Sequence, residues 1–197
     1  MDLKGKHIIL GSGSPRRREL LKGLDIDFEV DTNNNFKECF GPETPYDKVP
    51  VLMSEGKSEG FHRPIKEDEI LITADTMVIL PPLGASPGEI LGKPRDRADA
   101  IRMLQDLSGR SHHVTTAVTL RSIRKKETFT ATTEVWFKSL SHEEIAYYVD
   151  TYKPFDKAGA YAIQEWIGHI GITRIEGSYF NVVGFPVQRV YEALQRF

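Results

Sequence analysis

The chain has 197 residues, which is enough for one domain or two small ones. Hydrophobic residues make up 40% and charged residues 27%, the balance of a globular protein with a core. The net charge of −2 offers no overall attraction to nucleic acid or an anionic membrane, and no apolar run reaches the roughly 18 residues of a membrane span. The single cysteine, Cys39, and the lack of a secretory signal at the start predict a cytoplasmic protein without disulfides.

The first predicted elements are a short strand and a helix. The strand covers His7 to Leu10 and breaks at a Gly-Ser-Gly-Ser turn. Ser14 suits the N-cap of the following helix and Pro15 its first position, because proline lacks the N–H that would be unpaired there. We therefore expect a strand, a tight turn and a helix at the start of the chain.

The next part of the chain alternates irregular and regular segments. Residues 31–48 are polar and rich in turn formers, so we expect irregular structure there, followed by a weak helix over about 46–60. Residues 69–80, EILITADTMVIL, form the most strand-like run in the sequence. The Pro/Gly-rich segment 81–88 closes that strand.

The second half predicts two helices around a pair of antiparallel strands. A helix follows Pro94-Arg95-Asp96 and ends at Gly109, and alternating residues over 114–120 and 129–137 indicate the two strands. Ser141 and Glu144 form a capping box before another helix, and the tail from Pro186 to Phe197 is helical. Interleaved strands and helices predict the α/β class, with a mixed twisted sheet flanked by helices.

The junction between the first strand and helix is a candidate anion site. Unpaired N–H groups at a helix start favour an anion, and Arg16, Arg17 and Arg18 add positive charge there. The pattern is not a dinucleotide fingerprint, because an arginine stands where the third glycine belongs. The chain has no Walker A loop either, because Gly92-Lys93 is followed by Pro94 and not by Ser or Thr. The alternative is an ordinary capped helix with solvated arginines.

Asp75 is the second candidate, since it stands inside an apolar strand. An unpaired buried carboxylate is costly, so such a residue is usually paired, metal-bound or catalytic. The alternative is an aspartate at a strand end that is hydrogen-bonded to a neighbouring backbone group. From these residues alone the two interpretations remain open.

Three further residues could contact a ligand. Lys93, followed by Pro94, and Lys57 could each bind a phosphate, and Gln164 could pair with the edge of a base. Taken singly, each is more simply an exposed lysine or a surface glutamine in a turn.

Together these segments resemble the Maf family of nucleoside triphosphate pyrophosphatases, which are also described as septum-formation inhibitors. The matching stretches span nearly the whole chain in the order of the family. They are SGSPRR at 12–17 with ELL at 19–21, ADT at 74–76, KPRD at 93–96, LSG at 107–109, DKAGAY at 156–161 and GSY at 177–179.

The resemblance implies a single domain over 1–197 with a Maf- or ITPase-like fold and a central nucleotide-binding cleft. The domain could consist of two lobes around that cleft. It implies a homodimer and the cleavage of a nucleoside triphosphate to the monophosphate and pyrophosphate. A divalent cation, Mg²⁺ or Mn²⁺, would be the cofactor.

The resemblance also assigns roles to particular residues. It makes Asp75 the general base and a metal ligand, with Glu38 as the second metal ligand. The predicted substrate-binding residues are Ser14, Arg16, Arg17, Lys57, Thr76, Lys93 and Gln164. Two places depart from the family pattern: Glu165 stands where a glycine usually follows the glutamine, and Ser54-Glu55-Gly56 replaces an alanine-rich helix before Lys57.

Within the family, Arg17, Thr76 and Gln164 match the subgroup that acts on dTTP and UTP rather than the one that reads 7-methyl-GTP. We therefore expect hydrolysis of dTTP, UTP or modified pyrimidine nucleotides. The alternatives are the same chemistry on modified purine nucleotides, and a nucleotide-binding regulator of cell division without turnover.

Overall fold

The computed structural model describes residues 3, 5–41, 43–83 and 88–197, and its chain separates into two compact units. The first comprises residues up to 75, 116–131 and 184–197; the second comprises 76–115 and 132–183. Within the predicted turn segment 81–88, residues 84–87 lie outside the described residues.

Seven strands and seven α-helices are found in the described part of the chain. The strands are β1 (His7–Leu10), β2 (Phe28–Val30), β3 (Glu69–Leu80), β4 (Glu89–Leu91), β5 (Ser111–Arg121), β6 (Lys126–Phe137) and β7 (Ile172–Glu176). The helices are α1 (Pro15–Lys22), α2 (Val49–Glu59), α3 (Arg97–Leu107), α4 (His142–Tyr152), α5 (Trp166–Gly171), α6 (Tyr179–Val183) and α7 (Val187–Leu194).

The first unit is built on a sheet with the order β2-β1-β3-β5-β6. Strand β1 runs parallel to both β2 and β3, with Ile8 opposite Ile70 and Leu10 opposite Ile72. These strands form a buried core with Leu21 of α1 and with Val190, Ala193 and Leu194 of α7. A parallel pair needs a crossover connection, and α1 and α2 lie in those connections. This core supports the part of β3 that ends at Asp75.

The second unit contains the remaining parts of β3, β5 and β6, together with β4 and β7. Strand β4 pairs antiparallel with β3, and β7 pairs antiparallel with β6. Its core packs Leu104 of α3 and Tyr148 and Val149 of α4 against Val114 and Val135 of the strands. The parallel and antiparallel pairs confirm the predicted mixed sheet with flanking helices.

The local signals at helix ends are confirmed. Helix α1 begins at Pro15, and the Ser14 side chain accepts a hydrogen bond from the backbone N–H of Arg17. Ser141 and Glu144 form both bonds of the capping box at α4. Gly109 has a φ of +72° just after α3, where a left-handed residue ends the helix.

Five short elements were not predicted: β2, β4, β7, α5 and α6. Each has three to six residues, which is too few for a hydrophobic period to appear in the sequence. Their positions depend on pairing or packing with distant segments. Among the residues that the structure describes, no helix combines the length and hydropathy needed to cross a bilayer.

Candidate active site

A lysine and two carboxylates meet in the first unit. Lys57 lies in the last turn of α2 and Asp75 in the middle of β3, with Lys57 Nζ 2.6 Å from Asp75 Oδ1. Glu38, from the irregular segment before α2, places Oε1 2.9 Å from the same Nζ atom. The exposed fractions of the Lys57 and Asp75 side chains are 19% and 13%, whereas that of Glu38 is 61%.

This arrangement answers two questions that the sequence left open. The interpretation of Lys57 as a merely exposed lysine is wrong, because its side chain is mostly buried and its ammonium group lies between two carboxylates. Asp75 stands in mid-strand, and its carboxylate is paired with a lysine rather than capping a strand end. The attraction between the charges offsets the cost of removing both from water.

The segment before α2 holds Glu38 near Lys57 through contacts at Asn34 and Phe36. Asn34 Nδ2 donates to the Lys57 carbonyl at 2.5 Å, and its Oδ1 accepts from the backbone N–H of Phe36 at 2.8 Å. The Phe36 ring lies so close to Gly56 that a Cβ there would approach it to 2.2 Å. Gly56, part of the departure from the family pattern, therefore leaves room for the phenylalanine two residues before Glu38.

Three hydrogen bonds join the Arg17 side chain to other residues of the first unit. Its Nη1 donates to Ser12 Oγ at 3.2 Å and to the Ala74 carbonyl at 2.9 Å, and its Nε donates to the Gly184 carbonyl at 3.0 Å. Burial lowers the pKa of Arg17, while the negative charge of Asp75 opposes that change. The guanidinium group thus fixes the chain beside Asp75; its predicted contact with substrate stays a prediction, as does that of Ser14 and of half-buried Arg16.

The other predicted ligand contacts belong to the second unit. Thr76 is half-buried in β3, Lys93 is exposed just after β4, and Gln164 is exposed in the turn before α5. Their substrate contacts stay predictions.

The turn that carries Gln164 is anchored by its neighbour, Glu165. The Glu165 carboxylate accepts a hydrogen bond from the buried Tyr148 hydroxyl and lies 3.3 Å from Lys157 Nζ. The Tyr148 oxygen in turn accepts from the backbone N–H of Ala162 at 3.3 Å. Five residues before Gln164, Gly159 has a φ of +67°, and a Cβ there would lie 3.0 Å from the Val78 side chain. Glu165, the second departure from the family pattern, therefore holds this turn in place.

Sequence reasoning missed the residues that hold α2 on β3. Thr73 Oγ1 donates to the Ser54 carbonyl at 2.8 Å, and Ser54 Oγ lies 3.2 Å from the Thr73 carbonyl. Ser54 precedes Lys57 by one helical turn, and Thr73 precedes Asp75 by two residues on the same face of the strand. This spacing is the signal that could have identified them.

The donor set is compatible with a divalent cation that also binds substrate. No group of three or more metal-ligating side chains is found among residues 3, 5–41, 43–83 and 88–197. However, Asp75 and Glu38 both contact Lys57 Nζ and offer two carboxylates, the ligand type that such ions prefer. Mg²⁺ commonly takes one or two carboxylates and completes its coordination with water and phosphate oxygens.

Comparison with known proteins adds a family assignment to this geometry. The family model described as Maf-like protein matches residues 7–197. The chain belongs to the Maf family. This confirms the family that the sequence motifs indicate.

Curated relatives match the chain over nearly its full length. A dTTP/UTP pyrophosphatase of Phocaeicola vulgatus is 46% identical over 195 residues, covering 99% of this chain and 98% of the relative. One of Porphyromonas gingivalis is 46% identical over 198 residues, with 100% and 96% covered. One of Christiangramia forsetii is 45% identical over 193 residues, with 98% and 95% covered.

A solved structure, that of the Staphylococcus aureus Ham1 protein, matches with a TM-score of 0.51 at 14% identity. The match covers 95% of this chain and 100% of the Ham1 chain. At that level of identity the likeness shows the fold alone, and it confirms the predicted Maf- or ITPase-like architecture.

Proposed function

We propose that this protein hydrolyses dTTP and UTP to the nucleoside monophosphate and pyrophosphate in the cytoplasm. The observation that carries the proposal is the Lys57–Asp75–Glu38 group, with Nζ 2.6 and 2.9 Å from the two carboxylates. Membership of the Maf family and full-length relatives named for this activity support it.

Asp75 is the base in this proposal. Its carboxylate orients a water molecule and accepts its proton while the water oxygen bonds to the α-phosphorus. The bond from the α-phosphorus to the bridging oxygen breaks, and pyrophosphate leaves with the electron pair. The rigid central position of Asp75 in β3 suits this role, because a positioned base accelerates a reaction more than a mobile one.

The positive groups of the first unit hold the triphosphate. The Lys57 ammonium has three N–H donors, of which two directions are taken by Asp75 and Glu38, and we assign the third to a phosphate oxygen. Arg16 and the N-terminus of α1, which Ser14 caps, supply further donors. Lys93, Thr76 and Gln164 stay predicted substrate contacts, Lys93 with phosphate and the other two with the nucleoside.

Asp75 and Glu38 would hold a divalent cation, Mg²⁺ or Mn²⁺, together with the substrate phosphates. When bound, such an ion neutralises phosphate charge and makes a coordinated water easier to deprotonate. Lys57 contacts the same two carboxylates, so it would yield part of its contact when the ion arrives.

Pyrophosphate release from UTP by the purified protein with Mn²⁺ tests the proposal. The wild type is expected to release pyrophosphate and UMP in equal amounts. Asp75→Asn should reduce turnover by at least a thousandfold while UTP still binds, because the amide cannot accept the proton. Asp150→Asn, which changes an aspartate in an exposed pair with Arg97, is the matched control and should keep full activity.

Other results would exclude this function. Tight UTP binding without pyrophosphate release under any divalent ion would favour a nucleotide-binding regulator. Preference for modified purine triphosphates in a substrate panel would favour the same chemistry on a different base. Full activity of Asp75→Asn would remove Asp75 from the mechanism.

A further inference from the structure

We propose that Thr73 and Ser54 are positioning residues that set the distance between Lys57 and Asp75. The inference rests on the proposed function, since it treats that pair as part of the reaction machinery. Neither residue touches the two charged groups in the hydrogen bonds described above; they join the elements that carry them.

Two close polar contacts between Ser54 and Thr73 lie between α2 and β3 in a fully buried place. Ser54 and Thr73 both have an exposed fraction of 0%. The Thr73 hydroxyl donates to the Ser54 carbonyl at 2.8 Å, and the Ser54 hydroxyl lies 3.2 Å from the Thr73 carbonyl. Because Lys57 follows Ser54 by one turn and Asp75 follows Thr73 by two residues, a shift at this contact moves the ammonium relative to the carboxylate.

A chain of hydroxyl groups extends from this contact to a charged residue. Ser54 Oγ lies 2.9 Å from Thr119 Oγ1, which lies 3.1 Å from Thr128 Oγ1. The Thr128 hydroxyl donates to Glu55 Oε1 at 2.8 Å. Lys126 Nζ, at 4.0 Å from Glu55, is the cation that faces this carboxylate. The network thus links neighbouring residues of α2 to β3, β5 and β6.

The number of hydroxyl protons decides which hydrogen bond can join β3 to α2. Each hydroxyl donates once, and an ionised Glu55 can only accept. With Thr128 donating to Glu55, Thr119 donates to Thr128 and Ser54 donates to Thr119, which is its nearer partner at 2.9 Å. The Ser54 hydroxyl then has no second proton for the Thr73 carbonyl. The bond from the Thr73 hydroxyl to the Ser54 carbonyl is therefore the firm link between strand and helix.

The close packing around Thr73 supports this assignment. The Thr73 methyl group lies so close to the Gly11 backbone that a Cβ at Gly11 would approach it to 3.0 Å. Its methyl group thus lies against the residue that follows β1, while its hydroxyl group donates to the Ser54 carbonyl of α2. Valine has nearly the shape of threonine and places a methyl group, which cannot donate a hydrogen bond, where threonine has its hydroxyl group.

The test compares Thr73→Val with Thr73→Ser in UTP hydrolysis. Thr73→Val should lower kcat by about 10- to 100-fold with less than a threefold change in KM, because the reacting geometry is altered while Arg16 and the N-terminus of α1 still bind the triphosphate. Thr73→Ser keeps the hydroxyl and should remain within threefold of the wild type in kcat. Thr115→Val is the matched control: it removes a buried hydroxyl that pairs with Thr132 and involves no residue of α2.

A double-mutant cycle separates positioning from general loss of structure. In a Lys57→Met background, Thr73→Val should change kcat by less than threefold, since the group that it positions has been removed. Two results would overturn the proposal. One is that Thr73→Val lowers the melting temperature and leaves kcat unchanged. The other is that the double variant shows the full product of the separate effects of Thr73→Val and Lys57→Met on kcat.

A second readout does not depend on turnover. The rate at which an amine-reactive reagent labels Lys57, measured by mass spectrometry relative to exposed Lys93, should rise at least threefold in Thr73→Val and stay unchanged in Thr73→Ser. If the wild type hydrolyses no nucleotide and this difference is still found, the proposed function fails and the positioning role stands. Equal labelling in all three proteins would overturn the positioning role itself.

Discussion

Arg63 donates two parallel hydrogen bonds to the carboxylate of Glu69 at the start of β3. The distances are 2.7 Å from Nη1 and 3.0 Å from Nη2, and the backbone N–H of Lys66 adds a third bond at 2.9 Å. The Glu69 side chain is only 4% exposed, so these bonds offset the loss of water around its charge. They lower the pKa of Glu69 to about 2, despite the opposing effect of burial.

This ion pair predicts a pH-dependent part of the stability. Glu69→Gln should lower the free energy of unfolding at pH 7 by about 2 kcal/mol, because it leaves the partly shielded Arg63 without its charged partner. The folded pKa lies below the unfolded value of 4.5, so the contribution is complete above pH 4.5 and is lost as the pH falls toward 2. Urea unfolding at pH 7 and pH 3 should show a smaller difference between wild type and variant at pH 3.

The exposed pair of Glu67 with Arg124 offers a control for that measurement. Its two side chains are 76% and 80% exposed, so Glu67→Gln should leave the urea midpoint unchanged. A difference for Glu69→Gln that stays constant between pH 7 and pH 3 would contradict the role of its charge.

Lys57 predicts a loss of turnover that depends on its charge and shape. Lys57→Met should lower kcat for UTP by about 100- to 1000-fold, the range for removing one preorganised charge from a reaction site. Lys57→Arg keeps the charge but not the compact ammonium group, and its kcat should lie between those of Lys57→Met and the wild type. Lys48→Met, at the exposed start of α2, is the control and should behave as the wild type. Equal kcat values for Lys57→Met and wild type would exclude Lys57 from the reaction.

The anchor of the Gln164 turn predicts a change in substrate affinity. Glu165→Gln and Tyr148→Phe each weaken the contact between Glu165 and Tyr148, and each should raise KM for UTP about 3- to 10-fold with little change in kcat. Because both substitutions break one interaction, the double variant should be no worse than the more affected single variant. Glu176→Gln, at an exposed pair with Arg174, should leave KM unchanged. An unchanged KM in Glu165→Gln would show that the turn needs no such anchor.

His112 predicts a second pH dependence in a higher range. Its ring is fully buried, stacks on Phe137 and lies 2.7 Å from the Tyr161 hydroxyl, and burial lowers the pKa of His112 to about 3. Since the unfolded pKa is near 6.5, the neutral buried ring stabilises the fold above that pH and this contribution falls between pH 6.5 and 3.

Well below pH 6.5, His112 should lower the free energy of unfolding by about 1.4 kcal/mol for each unit by which the pH falls. Urea unfolding between pH 7 and pH 4.5 should therefore show a shallower pH slope in His112→Phe than in the wild type. The exposed His142 gives the comparison, since His142→Gln should keep the wild-type slope. Identical slopes in all three proteins would contradict this assignment.

The sequence alone determined the elements that depend on local chemistry. The predicted strand over 69–80 has the bounds of β3, and the caps at Ser14 and Ser141 mark where α1 and α4 begin. These features depend on residues within a few positions of one another, so their pattern is visible in the chain. The order of the motifs was likewise sufficient to identify the family.

Only the tertiary structure decided which of those residues meet. Lys57 and Asp75 are 18 positions apart on different elements, and Ser54 and Thr119 are 65 apart. Taken singly, Lys57 was indistinguishable from a solvated lysine, because burial and the choice of a charged partner are set by the packing of α2 on β3. Packing of this kind depends on surfaces assembled from distant parts of the chain, and no local period or spacing records it.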